Sequence, residues 1–359
     1  MVDASEYSEW QETLETVAKG TGSVVLLGGT DTGKTTFARL LANKCIAEGQ
    51  SVAILDADPG QSEIGPPACL GLAYAHGEFV SVADLPIHAL GFLGRTTPHG
   101  SLLEYFALLV RLAEMIDGQR LIIDMSGYIG GNGARQLYHA CLDVLAPSHV
   151  VALQRKGEIN GIVAPLQFKE TCLLHQPKIP AKISKKPAQF RSIRRTMRFA
   201  GYFKDAEQQT YSFDEVAFMG TWLGTGTPVP AHILKYLCQM VGEGRRVFYA
   251  ETCGTELGIM LNQPLSPHSP ALGQVMDHLK VQSITMTLAP HLKNVLLGLE
   301  DGRGKMLGMG ILTALDFRRR TFGVVANLRT SGAVKTVRFG SLRVQPDGTE
   351  LGSVATSTF

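Results

Sequence analysis

Eight consecutive residues, Gly28-Gly29-Thr30-Asp31-Thr32-Gly33-Lys34-Thr35, fit the pattern G-x-x-x-x-G-K-[ST]. Glycines at such positions let successive backbone N–H groups turn inward on an anion, and a helix starting directly after them adds its positive dipole end. Lys34 then reaches the outer phosphates and the Thr35 hydroxyl holds Mg²⁺. Gly28 to Thr36 is therefore a candidate triphosphate site. A second group is Asp56-Ala57-Asp58-Pro59-Gly60-Gln61. Phosphoryl transfer needs a metal between the phosphates and a group that takes a proton from the attacking hydroxyl, and an aspartate does either. The plainer alternative is an acidic turn capping its own amides. Leu121-Ile122-Ile123-Asp124 is an apolar run ending in an acid, the Walker B pattern, which is weak by itself.

These groups need elements to position them. Ser23–Leu27 reads as a buried strand before the loop and Thr36–Asn43 as an amphipathic helix after it. Further apolar runs at 51–55, 88–93, 121–123 and 149–153 alternate with helical patterns over about 100–116 and 134–145. That alternation predicts an α/β P-loop NTPase fold with a mostly parallel sheet and helices on both faces. Ligands in such sheets bind beyond the carboxyl ends of the strands, where Gly28, Asp56 and Asp124 fall. Two further loops sit at strand ends. Gly94-Arg95-Thr96-Thr97-Pro98-His99 carries hydroxyls and an arginine for phosphate or an acceptor, or else caps the next helix. Ser126-Gly127-Tyr128-Ile129-Gly130-Gly131 offers a ring that stacks on a base or packs its own loop.

Residues 178–204 carry nine cations (Lys178, Lys182, Lys185, Lys186, Arg191, Arg194, Arg195, Arg198 and Lys204), with no acid between Glu170 and Asp205. The whole 359-residue chain is only +2, so positive charge is concentrated there. A solvated basic helix is the bland explanation. In a triphosphate-binding domain the segment suits a lid whose arginines neutralise transition-state charge, or a surface for a phosphate backbone. Past residue 206 short apolar runs alternate with turns, which predicts a smaller, mostly β domain, with a barrel as one arrangement, after a helix near 230–241. We divide the chain into a P-loop domain, 1–205, and a C-terminal domain, 206–359.

Hydrophobic content of 45% and charge of 18% exclude a disordered chain. The six cysteines are scattered without a C-x-x-C pair, which argues for reduced thiols rather than zinc or disulfides. The acidic start (Asp3, Glu6, Glu9) lacks the regions of a signal peptide, and no apolar stretch reaches the length of a membrane span. A cytoplasmic protein without membrane contact is expected.

Taken together, these segments resemble the P-loop polynucleotide 5′-hydroxyl kinases of RNA processing, the family of the kinase subunit of the mRNA cleavage and polyadenylation factor and of ribosomal-RNA-processing kinases. Gly29–Thr36 is similar to that family's P-loop, and Asp56-Ala57-Asp58-Pro59-Gly60-Gln61 matches its D-x-D-x-G-Q motif. Thr96-Thr97-Pro98 and Asp124-Met125-Ser126-Gly127-Tyr128 look like its third motif and clasp. Arg191 to Arg198 looks like its lid. The resemblance spans most of residues 20–345 and points to a compact prokaryotic-type member. It implies transfer of the γ-phosphate of ATP, with GTP an open alternative, to the 5′-hydroxyl end of RNA, or of DNA. Asp58 is then the general base, with Thr35, Asp56 and Gln61 around Mg²⁺. Lys34, Arg194, Arg195 and Arg198 stabilise the moving phosphoryl group, and Thr96, Thr97, Ser126, Gly127 and Tyr128 hold the acceptor. Where the family's clasp reads T-x-G-W, this chain has Met125-Ser126-Gly127-Tyr128, with one hydroxyl fewer and a smaller ring. Two other functions fit a P-loop: a triphosphate-driven switch or RNA-binding module without transfer, and a kinase or GTPase acting on a small molecule. The basic segment disfavours a small neutral substrate.

Overall fold

The computed structural model of the chain describes residues 4–329 and 332–354; Asp3 lies outside them. The chain divides into two compact units, Met1–Arg198 and Phe199–Phe359.

The first unit is built on a seven-stranded sheet. Its strands are β1 (Val24–Gly28), β2 (Val52–Ala57), β3 (Cys69–Ala75), β4 (Ile87–Phe92), β5 (Arg120–Met125), β6 (His149–Leu153) and β7 (Leu173–His175). Their order is β4-β3-β2-β5-β1-β6-β7. The helices are α1 (Gln11–Lys19), α2 (Lys34–Ala47), α3 (Leu102–Ala113), α4 (Gly131–Leu145), the single turn α5 (Asn160–Val163) and α6 (Ala188–Phe203), which crosses the division between units. Alternate residues of the central strands feed opposite layers. Val25, Leu27, Ala53, Leu55 and Ile123 pack under α3 and α4 with Leu109, Leu137 and Tyr138. Val24, Leu26, Ile54 and Ile122 pack against α1 and α2 with Trp10, Phe37 and Leu41. Strands covered on both faces have no polar side to show, so they read as continuous apolar runs.

The sheet is mostly parallel, as expected, with one insertion. β3 runs antiparallel to both β2 and β4. Its sequence, Cys69-Leu70-Gly71-Leu72-Ala73-Tyr74-Ala75, is poor in the β-branched residues that mark strands, which hides it from pattern reading. Because β3 reverses direction twice over, β4 points the same way as β2. The carboxyl ends of β1, β2, β4 and β5 therefore share one edge of the sheet.

The second unit begins with β8 (Glu207–Ser212) and β9 (Ala217–Met219); β10 (Thr227–Pro228), β11 (Val247–Cys253), β12 (Glu256–Leu261) and β13 (Ser283–Leu288) then form a four-stranded sheet. It packs with helices Ala231–Met240 and Pro270–Leu279 through Leu237, Leu257, Ile259 and Val275. β14 (Val295–Glu300), β15 (Met306–Asp316), β16 (Thr321–Leu328) and β17 (Thr336–Val344) form the centre of a larger sheet, with Glu350–Ser353 at one end and Glu207–Ser212 at the other. Among the described residues those two end strands do not pair, so the sheet is open rather than a closed barrel. The turn between β14 and β15 is closed by Asp301, whose carboxylate accepts the amides of Arg303 at 2.8 Å and Lys305 at 2.9 Å.

Candidate active site

β1 ends at Gly28 and the loop turns directly into α2. Gly33, the residue before the helix, has φ 90°, and a Cβ there would come within 2.8 Å of Cη2 of the fully buried Trp10. Only glycine meets both demands. Thr32 Oγ1 donates to the carbonyl of Gly29 at 2.9 Å, closing the loop from inside. Lys34 is buried and its Nζ donates to the same carbonyl at 3.0 Å, so the ammonium lies along the loop. Gly127 sits so near the loop that a Cβ would meet Thr30 Oγ1 at 2.6 Å, which joins the end of β5 to the P-loop.

Three acids surround this loop, and their hydrogen bonds separate their roles. Asp56 is buried and both its oxygens accept backbone amides: Asp58 at 3.0 Å on one, Glu63 at 2.5 Å and Ile64 at 3.0 Å on the other. The sequence reading put Asp56 at the metal; its geometry is that of a scaffold for the loop after β2. Burial, reinforced by Asp124, pushes its pKa up to about 8. Asp58 presents Oδ1 to the amides of Gly60 at 2.9 Å and Gln61 at 3.2 Å, while its side chain lines the cleft. Asp124 accepts the Thr35 hydroxyl on Oδ2 at 2.5 Å, and its Oδ1 is buried without a partner. Burial raises the Asp124 pKa to about 6, with Lys34 and the Thr35 hydroxyl pulling it back down.

The cleft in front of these groups measures about 350 Å³. Thr30, Asp31, Gly33, Lys34, Thr35, Thr36, Asp58, Gln61 and Arg194 line it. Gly28, Gly29 and Thr32 are outside the lining. The lid arginines divide. Arg194 lines the cleft and pairs with Glu63, whereas Arg198 donates to the carbonyls of Glu63 at 2.9 Å and Gly65 at 2.7 Å and so fastens the loop after β2. Arg195, half-buried on α6, is outside the lining. Asp31 is turned from the phosphate position to the basic segment, its Oδ2 accepting from Arg191 Nη1 and from the amide of Lys186, each at 3.0 Å.

The acceptor candidates stand together outside that lining. Thr97 Oγ1 accepts the amide of His99 at 3.3 Å, and Ser126 Oγ accepts that of Tyr128 at 3.3 Å, so both hydroxyls shape their own loops. The rings of His99 and Tyr128 are tilted at 54° to each other with centroids 5.9 Å apart. Thr96 touches the Asp58 turn: a Cβ on Gly60 would approach its carbonyl to 2.6 Å.

Other cleft residues carry no motif. Val80–Val82 reach it from the β3–β4 connection because Asn43 on α2 grips Phe79, donating to its carbonyl at 2.9 Å and accepting its amide at 3.2 Å. Arg155 donates to the carbonyls of Asp31 at 3.0 Å and Ile183 at 2.7 Å, seating the start of the lid segment on the P-loop. Glu63 carried one faint signal, an acid two residues past the Asp56–Gln61 motif and opposite in charge to the lid.

A glycine-rich loop at the end of a central parallel strand, a hydroxyl and a buried carboxylate behind it and an arginine-bearing helix over it define a P-loop nucleoside-triphosphate-binding domain. Residues 28–205 match the family described as mRNA cleavage and polyadenylation factor CLP1 P-loop. The chain is 30% identical to the polyribonucleotide 5′-hydroxyl-kinase of Pyrococcus furiosus, covering 93% of this chain and 91% of that protein. It is 29% identical to the enzyme of the same name from Pyrococcus abyssi, over 95% and 92%. The solved structure of a wild-type Clp1p–Pcf11p complex shares the fold, with a TM-score of 0.55 at 14% identity over 94% of this chain and 79% of that one. The chain belongs to this CLP1-type family of polynucleotide 5′-hydroxyl kinases. Among its described residues no helix is long and apolar enough to cross a membrane.

Proposed function

We propose that this protein transfers the γ-phosphate of ATP to the 5′-hydroxyl end of RNA. The observation that carries the reading is the juxtaposition of Asp58, facing the cleft on a loop clamped by Asp56, with Lys34, Thr35 and Arg194 around one space. A hydrolytic switch needs a positioned water, whereas an alcohol acceptor needs a proton acceptor and room for a chain. The relatives' names, polyribonucleotide 5′-hydroxyl-kinase, support the same substrate.

In this mechanism Lys34 leaves the Gly29 carbonyl to bridge the outer phosphates, and the P-loop amides hold the β-phosphate. Thr35 and Asp124 would hold Mg²⁺, since the buried, unpartnered Oδ1 of Asp124 suits a cation. The ion, when bound, neutralises charge on the transferring group. The 5′-hydroxyl oxygen attacks the γ-phosphorus, its bond to the β,γ-bridging oxygen breaks, and the hydroxyl proton passes to Asp58. Arg194 exchanges Glu63 for the charge of the phosphoryl group, and ADP leaves. The six cysteines are free thiols, which suits a reducing compartment such as the cytoplasm.

The deciding experiment mixes the protein, Mg²⁺ and γ-labelled ATP with 5′-hydroxyl RNA and DNA oligonucleotides. Label on the oligonucleotide, greater on RNA, is expected; ATP hydrolysis without transfer would return the protein to the switch reading. Asp58→Asn should bind ATP normally and lose about 10²–10⁴ in kcat, the usual worth of a general base.

A further inference from the structure

α2 carries a cation that belongs to none of the motifs of the cleft. Arg39 stands four residues past Thr35 and four before Asn43, so the three side chains share one stripe of the helix. It is half-buried and lines the triphosphate cleft. Lys34 rests on the Gly29 carbonyl and Arg194 on Glu63, whereas among the described residues Arg39 has no acceptor within hydrogen-bonding distance. The acids of the lining are engaged elsewhere: Glu63 with Arg194 and Arg198, Asp31 with Arg191, and Asp58 through Oδ1 with two amides.

The surroundings leave this guanidinium open to a ligand. One turn further along the stripe, Asn43 donates to the carbonyl of Phe79 at 2.9 Å and accepts its amide at 3.2 Å, which fixes the β3–β4 connection against α2. Val80, Ser81 and Val82 follow directly and line the same cleft. The valines offer no acceptor side chain, and Ser81 Oγ accepts the amide of Ala83 at 3.3 Å. A half-buried guanidinium is partly stripped of water, which strengthens its pull on an anion that reaches it. The stripe also indicates which anion. Thr35, its first member, donates to Asp124 where the metal would be held, and a P-loop metal bridges the β- and γ-phosphates. The loop amides take the β-phosphate, so the phosphate left for a cation further along the stripe of Thr35 is the γ.

Resting on the reading of this cleft as the ATP site of a kinase, we propose that Arg39 binds the γ-phosphate of the incoming triphosphate. The planar fork of a guanidinium suits two phosphate oxygens. Lys34 and Arg194 must each leave a protein partner to reach phosphate, and Arg39 breaks no contact to do so. Arg39 then reads the third phosphate: it holds ATP, and the contact is gone once the phosphoryl group has left and ADP remains.

The test measures equilibrium binding of ADP and of an ATP analogue with a β,γ-imido bridge, both with Mg²⁺, to the wild type, Arg39→Gln and Arg39→Lys. Arg39→Gln should weaken the analogue by about 10- to 100-fold, the worth of one charge-assisted contact, and leave ADP unchanged. Arg39→Lys should keep part of the difference, since it keeps the charge without the fork. In transfer assays Arg39→Gln should raise the KM for ATP by a similar factor. Equal losses for both nucleotides, or no loss for either, overturn the assignment, because a merely structural role moves ADP as well. If the wild type transfers no label to an oligonucleotide and Arg39→Gln still loses the analogue but not ADP, the kinase reading falls and the Arg39 contact stands.

Discussion

The Thr35 hydroxyl donates to Oδ2 of Asp124 across 2.5 Å, tying the first turn of α2 to the end of β5, and the other oxygen of that carboxylate is buried without a partner. A hydroxyl held by a carboxylate that keeps its other oxygen without a protein partner suits a hard cation. Asp124→Asn should raise the Mg²⁺ concentration needed for half-maximal transfer at least tenfold and lower kcat by about 10²-fold. Titrating Mg²⁺ under fixed ATP checks this; an unchanged Mg²⁺ requirement would remove Asp124 from the metal.

Two of the lid arginines, Arg194 and Arg198, are held by Glu63. Replacing Arg194, Arg195 and Arg198 together with alanine should slow transfer by about 10³-fold or more, in the range of arginines that neutralise a transferring phosphoryl group. Each lost phosphate contact should also flatten the plot of log affinity for single strands against log salt by about 0.7. Unchanged kinetics in the triple variant would leave α6 as a solvated basic helix.

Gly33 combines φ 90° with contact to Trp10. Gly33→Ala should destabilise the first unit by about 2–4 kcal/mol, the sum of a left-handed alanine and a displaced ring in a full core. Nucleotide protection in thermal unfolding should vanish with it. A variant that melts like the wild type and is still stabilised by ATP would contradict the packing described.

At the opposite end of the sheet, His149 and His175 approach within 3.1 Å, Nδ1 to Nε2, with Arg120 nearby. Burial first, then the charges of His175 and Arg120, pushes the His149 pKa down to about 4, and burial lowers that of His175. A histidine depressed on folding binds more protons in the unfolded chain, so stability falls as pH drops from about 6.5 toward 4. The loss from His149 should approach about 3 kcal/mol at the acid end. Melting temperatures of the wild type and His149→Gln across that window would check it: the variant should be flatter, and equal slopes would exclude the pair as the cause.

Much of the first unit was legible before folding. β1, β2, β5 and β6 are buried on both faces, so their sequences had to be apolar runs, and the P-loop had to carry its own glycines. β3 escaped because glycine and alanine at Gly71, Ala73 and Ala75 blunt the strand signal. At the site, Thr35, Asp58, Gln61 and Arg194 were legible because each belongs to a motif of fixed spacing. Val80–Val82 and Arg155 were not, since what brings them to the cleft is an asparagine grip and two carbonyl contacts, neither of which has a pattern in the chain.

The sequence by itself determined the phosphate loop, the strand–helix alternation that presents it and the charge concentrated in the lid, because these depend on residue type and short-range spacing. The tertiary structure decided how the acids and arginines divide their work. Asp56 and Asp58 are two residues apart and look equivalent, yet both oxygens of Asp56 accept backbone amides, whereas Asp58 gives Oδ1 to them and lines the cleft. Thr35 and Asp124 meet across 89 residues, and Arg194 meets Glu63 across 131. Hydrogen bonds and ion pairs act over a few ångströms of space, and only the sheet order brings those partners within reach.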